Sequence, residues 1–108
     1  MKLEELLKEI LAQYERHGWE LRRALLTPAS RGEIDEAGLP GGTEITQSEI
    51  DALWFARPSH AGREAWELRL VAEQPYALFE AFESDETEAE REDARREMEN
   101  RMREHAVR

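Results

Sequence analysis

Residues 51–82 read DALWFARPSHAGREAWELRLVAEQPYALFEAF, and the reading of this stretch decides the fold. It holds two of the three tryptophans, all three phenylalanines and one of the two tyrosines. Two apolar-rich runs, 51–57 and 64–72, flank Pro58-Ser59-His60-Ala61-Gly62-Arg63. Proline and glycine in so short a linker signal a turn. In the second run Trp66, Leu68 and Leu70 alternate with Glu67, Arg69 and Val71, the period of a half-buried strand. A loop symmetric about residues 60 and 61 sets Phe55 opposite Trp66, Leu53 opposite Leu68 and Arg57 opposite Glu64. That register pairs apolar with apolar and acid with base, and a slip of one residue would move Trp66 and Leu68 to the other face. Thr46-x-x-Glu49 with Ile50, Leu53 and Trp54 is the competing helical reading of 47–56; a strand is preferred.

Working outward, Gln74-Pro75 opens the next element. Residues 76–82 lack a β-branched side chain, and Leu78, Phe79 and Phe82 share a helical face. A helix from Pro75 is preferred here, with a fourth strand returning along 66–71 as the alternative. Residues 84–108 read as a charged helix with Asp85-x-x-Glu88 as its start. Its narrow apolar stripe is Ala94, Met98, Met102 and Ala106, and Glu92/Arg96, Glu97/Arg101 and Glu99/Arg103 are i, i+4 pairs. Upstream, Leu3, Leu6, Leu7, Ile10, Leu11 and Tyr14 form one helical stripe over 2–17. Gly18 supplies a left-handed stop that folds Trp19 back on Tyr14. Residues 19–26 read as the first strand, ended by Thr27-Pro28, with Arg23 reaching toward the sheet edge. The 27–50 stretch is broken by Pro28, Gly32, Gly38, Pro40, Gly41 and Gly42. It reads as a long loop or flanking hairpin tacked down by Ile34, Leu39 and Ile45.

The expected architecture is therefore α+β in one domain, residues 1–108. An N-terminal amphipathic helix and a C-terminal helical segment pack mainly on one face of a three-stranded, alternatively four-stranded, antiparallel sheet. In general shape alone this resembles the small acidic dimeric secretion chaperones of bacteria.

Composition narrows the function. The chain has no cysteine, which removes disulfides, thiolate catalysis and thiolate-held metal. Its 25 acidic and 15 basic side chains give a net charge of −10, which repels nucleic acid and anionic membranes. No apolar run approaches membrane-spanning length and no signal peptide is visible, so a cytoplasmic protein is expected. Arginine exceeds lysine by 13 to 2, a hint of a GC-rich bacterial source. His17, His60 and His105 share no metal-binding spacing, Glu33, Asp35 and Glu36 match no calcium loop, and Ser30, Ser48 and Ser59 lack a nucleophile elbow. No catalytic, cofactor or metal residue is assigned, and no cofactor is expected. Arg57, His60 and Arg63 are candidates for an anion site at the hairpin loop. In the expected register Trp54 lies among small and polar neighbours, so Trp54, Met98 and Met102 are candidates for an interface. Two functions follow. One is a non-catalytic protein-interaction module, homodimeric and open to a second protein. The other is a small-ligand binder or enzyme with a pocket between the sheet and the 27–50 loop.

Overall fold

The structure, a computed structural model, describes residues 2–35 and 38–107. Leu3–Arg16 forms α1, which buries Leu7, Ile10, Leu11 and Tyr14 along the expected stripe. Gly18 adopts φ 81°, and the Trp19 N–H donates to the Tyr14 carbonyl at 3.1 Å. The Trp19 and Tyr14 rings meet edge-on with centroids 6.0 Å apart. That is a glycine-terminated helix with its apolar closing contact, as the sequence indicates.

Five strands follow: β1 (Glu20–Leu26), β2 (Glu44–Gln47), β3 (Ala52–Pro58), β4 (Glu64–Leu70) and β5 (Ala77–Phe82). They lie in the order β2-β1-β3-β4-β5. The β1–β2 pair is parallel and the other three pairs are antiparallel. This corrects the expected three or four antiparallel strands. The 27–50 stretch is more ordered than its glycines and prolines suggest. Pro28 opens a short helix, α2 (Pro28–Glu33), capped by Thr27, whose hydroxyl accepts from the Ser30 N–H. Asp51 accepts from the Thr27 N–H at 2.9 Å and from the Ser30 hydroxyl at 2.6 Å, tying α2 to the start of β3. Ile34 and Leu39 are buried and Ile45 packs beside them, as expected. Pro40 to Thr43 closes a turn, but β2 then pairs in parallel with β1 rather than forming a hairpin. Glu36, from the carboxylate cluster considered above, lies outside the described residues.

Segment 77–82 is a strand, against the preferred helix. Pairing with β4 gives its backbone a ladder and buries Phe82 in the core. Tertiary context of this kind outweighs a weak helical propensity. Segment 52–58 is the preferred strand.

The β3–β4 register differs by one residue from the expected one. Ala56 pairs with Trp66, Trp54 with Leu68 and Pro58 with Glu64. The loop is centred on Ala61, which takes φ 57° within a turn over His60–Gly62, and the Ser59 N–H closes it on the Arg63 carbonyl at 2.8 Å. An odd-length loop shifts the pairing by one. The expectation assumed one buried face, whereas both are covered. Five consecutive residues, Ala52 to Ala56, are buried, the signature of a strand packed on two sides. Leu53 and Phe55 join the core with α1. Trp54, Trp66, Leu68 and Phe82 join a second core with Met98 and Met102. These methionines belong to α3 (Glu88–Ala106), which starts from a Thr87/Glu90 capping box rather than at Asp85. The helices therefore lie on opposite faces, giving three layers where one covered face was expected. A bulge between Leu21 and Arg23 lets Leu21 and Ala24 reach the α1 side and sends Arg23 to Glu44 at 3.4 Å and Glu92 at 3.0 Å.

Candidate functional site

The interface candidates are interior. Trp54 is 0% exposed, meets Trp66 edge-on at 5.9 Å and donates from Nε1 to Glu99 Oε2 at 2.8 Å. Met98 and Met102 pack into the same core. The one-residue register change placed Trp54 beside Trp66, and of the covers open to Trp54 (a helix, the 27–50 loop or another chain) it is the helix α3 that packs on it. The anion candidates do not converge. Arg57 donates to the His17 carbonyl at 2.5 Å and lies over the Trp19 ring at 4.6 Å. Arg63 pairs with Glu83 at 2.8 Å, and His60 is exposed in the turn.

Beneath α3 lies a guanidinium on aromatic rings. Arg95 is 2% exposed, 4.0 Å from the Trp66 centroid and 5.4 Å from that of Phe82. It donates to Glu88 and Glu92 at 3.0 and 3.1 Å, while its Nε is buried without a partner. Burial alone would raise the Glu92 carboxyl, but hydrogen bonds and charge from Arg23 and Arg95 hold it below the ordinary carboxylate range. This assembly clamps α3 to the sheet.

On the α1 side the sheet continues into a strip where Ala65, Glu67 and Arg69 of β4 pair with Ala81, Phe79 and Ala77 of β5; Ala65 and Arg69 are buried there, whereas Ala77 and Phe79 are exposed. A cleft of about 380 Å³ opens at its end, between Gln13, Tyr14 and His17 of the α1 terminus, Trp19, and Glu67, Arg69, Pro75, Tyr76 and Ala77. The Tyr14 hydroxyl donates to Glu67 Oε2, and the Tyr14 ring stacks on Phe55 at 4.0 Å. Burial pushes the phenol up, and the Glu67 hydrogen bond and charge push it further against the opposing charge of Arg69. A phenol held protonated in this way is a donor, not a base or nucleophile, near neutral pH. Arg69 is buried and donates to the Leu70 carbonyl. A second hollow, of about 500 Å³, lies by the 27–50 segment between Thr27, Pro28, Gln47, Ser48, Glu49 and Arg103; none of these side chains is buried. Among the described residues no group of three or more His, Asp or Glu side chains could hold a metal.

The sequence reading overlooked β5 as a surface. Phe79 is 59% exposed and meets Trp19 edge-on at 6.5 Å. β5 ends the sheet, and among the described residues no backbone hydrogen bond reaches its outer side. The signal was present in the alternation of Ala77, Phe79 and Ala81 with Leu78, Glu80 and Phe82. The other edge, β2, has only four residues, of which Glu44, Thr46 and Gln47 are exposed.

Among the described residues no helix is long and apolar enough to cross a membrane. Compared with known protein families, with characterised proteins and with solved structures, the chain matches none.

Proposed function

We propose that this chain is a non-catalytic protein-interaction module that accepts an extended segment of a partner along the outer edge of β5. The exposure of Phe79 on an edge strand whose outer side is open carries this reading. An open edge offers a row of N–H and C=O groups, and proteins that do not use one blunt it with lysine, proline, a bulge or a cover. β5 has none of these and carries a single charge, Glu80. Strand addition takes affinity from the main chain and specificity from alternate side chains. The test titrates labelled protein with an eight-residue peptide of alternating apolar and basic residues. Amide shifts should concentrate on 77–82 and the Trp19 indole, and a proline placed mid-peptide should abolish them. Shifts spread over α3, or none at millimolar peptide, would refute the reading.

A second reading, a small-ligand binder, has one observation in its favour: the Tyr14, Glu67 and Arg69 side chains that line the 380 Å³ cleft. It lies by α1 and β4–β5 rather than by the 27–50 segment. A compound that raises the melting temperature of the wild type but not of Trp19→Ala would support it; a shift preserved in the variant would not.

A further inference from the structure

On the reading just given, we infer that the segment seated on β5 is the same strand of a second copy, paired antiparallel about a two-fold axis through Phe79. Residues directly opposite in an antiparallel pair share a face. A strand pairing with itself can therefore centre only on a residue facing its own copy, which leaves Leu78, Phe79 or Glu80 near the middle of β5. Centring on Glu80 sets two carboxylates face to face, which is destabilising. Centring on Leu78 leaves only 77–79 paired within the strand. Centring on Phe79 keeps 77–81 paired, sets Glu80 opposite Leu78 of the other copy, and joins the two Phe79 rings.

The sequence is built for that last arrangement. Ala77-Leu78-Phe79-Glu80-Ala81 is symmetric in size about Phe79, so each Ala77 faces an Ala81 and leaves room for the rings. Self-complementarity of this kind is what an isologous two-fold contact requires, and it favours a copy of the chain over an unrelated segment. The net charge of −10 opposes association. Because β5 itself bears only Glu80, that opposition is long-range and is screened beyond roughly 8 Å in physiological salt. The contact is one strand edge and its flanking rings, at the small end of specific interfaces, so the dimer dissociates on dilution.

Two measurements test this together. Light scattering across dilution, at low and high salt, should show mass rising from one chain toward two with concentration and with salt. Phe79→Glu should weaken the dimer by about tenfold or more, the behaviour of a central aromatic anchor, with an unchanged far-ultraviolet spectrum because the side chain is exposed. The chain is free of cysteine, so Ala77→Cys and Ala81→Cys give single-thiol proteins that keep Phe79. Mixed and mildly oxidised, they should form the mixed disulfide. Each alone should not, because like positions then lie four residues apart, beyond disulfide reach. A monomer under every condition overturns the second copy as occupant, as does a dimer indifferent to Phe79→Glu. A dimer that cross-links through either single variant, or not at all in the mixture, overturns the Phe79-centred pairing. The peptide titration separates these failures from the broader one. Shifts on β5 in a strictly monomeric protein keep the edge reading and remove the dimer; their absence as well removes both.

Discussion

Tyr14 shows how much one side chain can join. Its ring stacks on Phe55, its hydroxyl reaches Glu67, and Trp19 closes against it. The folded state holds the phenol proton more tightly than the unfolded chain does. The stability this supplies is complete below the ordinary phenol value of 10.0 and is lost as pH rises above it toward the folded-state value. Tyr14→Phe should cost about 1–2 kcal/mol at neutral pH, through the lost hydrogen bond and the stranded Glu67 carboxylate. It should also remove a tyrosine that titrates above the ordinary range in absorbance at alkaline pH; an unchanged titration would contradict the assignment. Trp54 sets the other extreme. Trp54→Ala empties a fully buried site and strands Glu99, so urea unfolding should show a loss of roughly 3–5 kcal/mol, with no partner required. Ala61 holds φ 57° without being glycine. Ala61→Gly should stabilise by up to about 1 kcal/mol, the left-handed penalty it removes.

Among the elements, α2 and α3 each depend on polar contacts to distant segments. α2 is too short to stand alone, and Asp51 accepts from both Thr27 and Ser30 across 24 and 21 residues of sequence. Asp51→Ala should cost about 1–3 kcal/mol for groups left without an acceptor. Faster amide exchange at Ser30 and Arg31 than in the wild type would locate the loss in α2. α3 rests on a narrow stripe whose shortage of apolar area is offset by Arg95, lying on Trp66 and Phe82. Arg95→Met, which keeps a long stem over the rings, should destabilise less than Arg95→Ala, by urea midpoint. Equal losses in the two variants would mean that charge, not coverage, holds the helix.

In the whole molecule, the two helices close opposite faces of one sheet by different chemistry. α1 uses an apolar stripe that does not titrate at acid pH. α3 uses the methionines and the Arg23–Glu92–Arg95 group. Because the Glu92 carboxyl is held below its ordinary 4.5, its contribution is present above that pH and is lost as pH falls through the folded-state value. On acidification near-ultraviolet signals from Trp54 and Trp66 should change before that of Trp19, and Glu92→Gln should flatten the difference. Simultaneous change of all three would show that the layers do not separate.

Much was legible along the chain. The stripe from Leu3 to Tyr14, the stop at Gly18 with Trp19 folded back, the alternation of Trp66, Leu68 and Leu70, and a charged helix within 84–108 all depend on neighbours within a turn or two. Such periodicities and caps are local physics, and the sequence by itself determined them. Only the tertiary structure decided that 77–82 is a strand, that β2 runs parallel to β1, that Trp54 pairs with Leu68, and that α3 covers the face opposite α1. Each of these turns on which distant segment lies alongside. A short apolar run fits a helix or a strand equally well until a partner supplies its backbone bonds, and a loop centred on one residue rather than between two moves every side chain of a strand to the other face. The candidate edge was hidden for the same reason, since Phe79 is an exposed edge residue only once β4 has taken one side of its strand and left the other open.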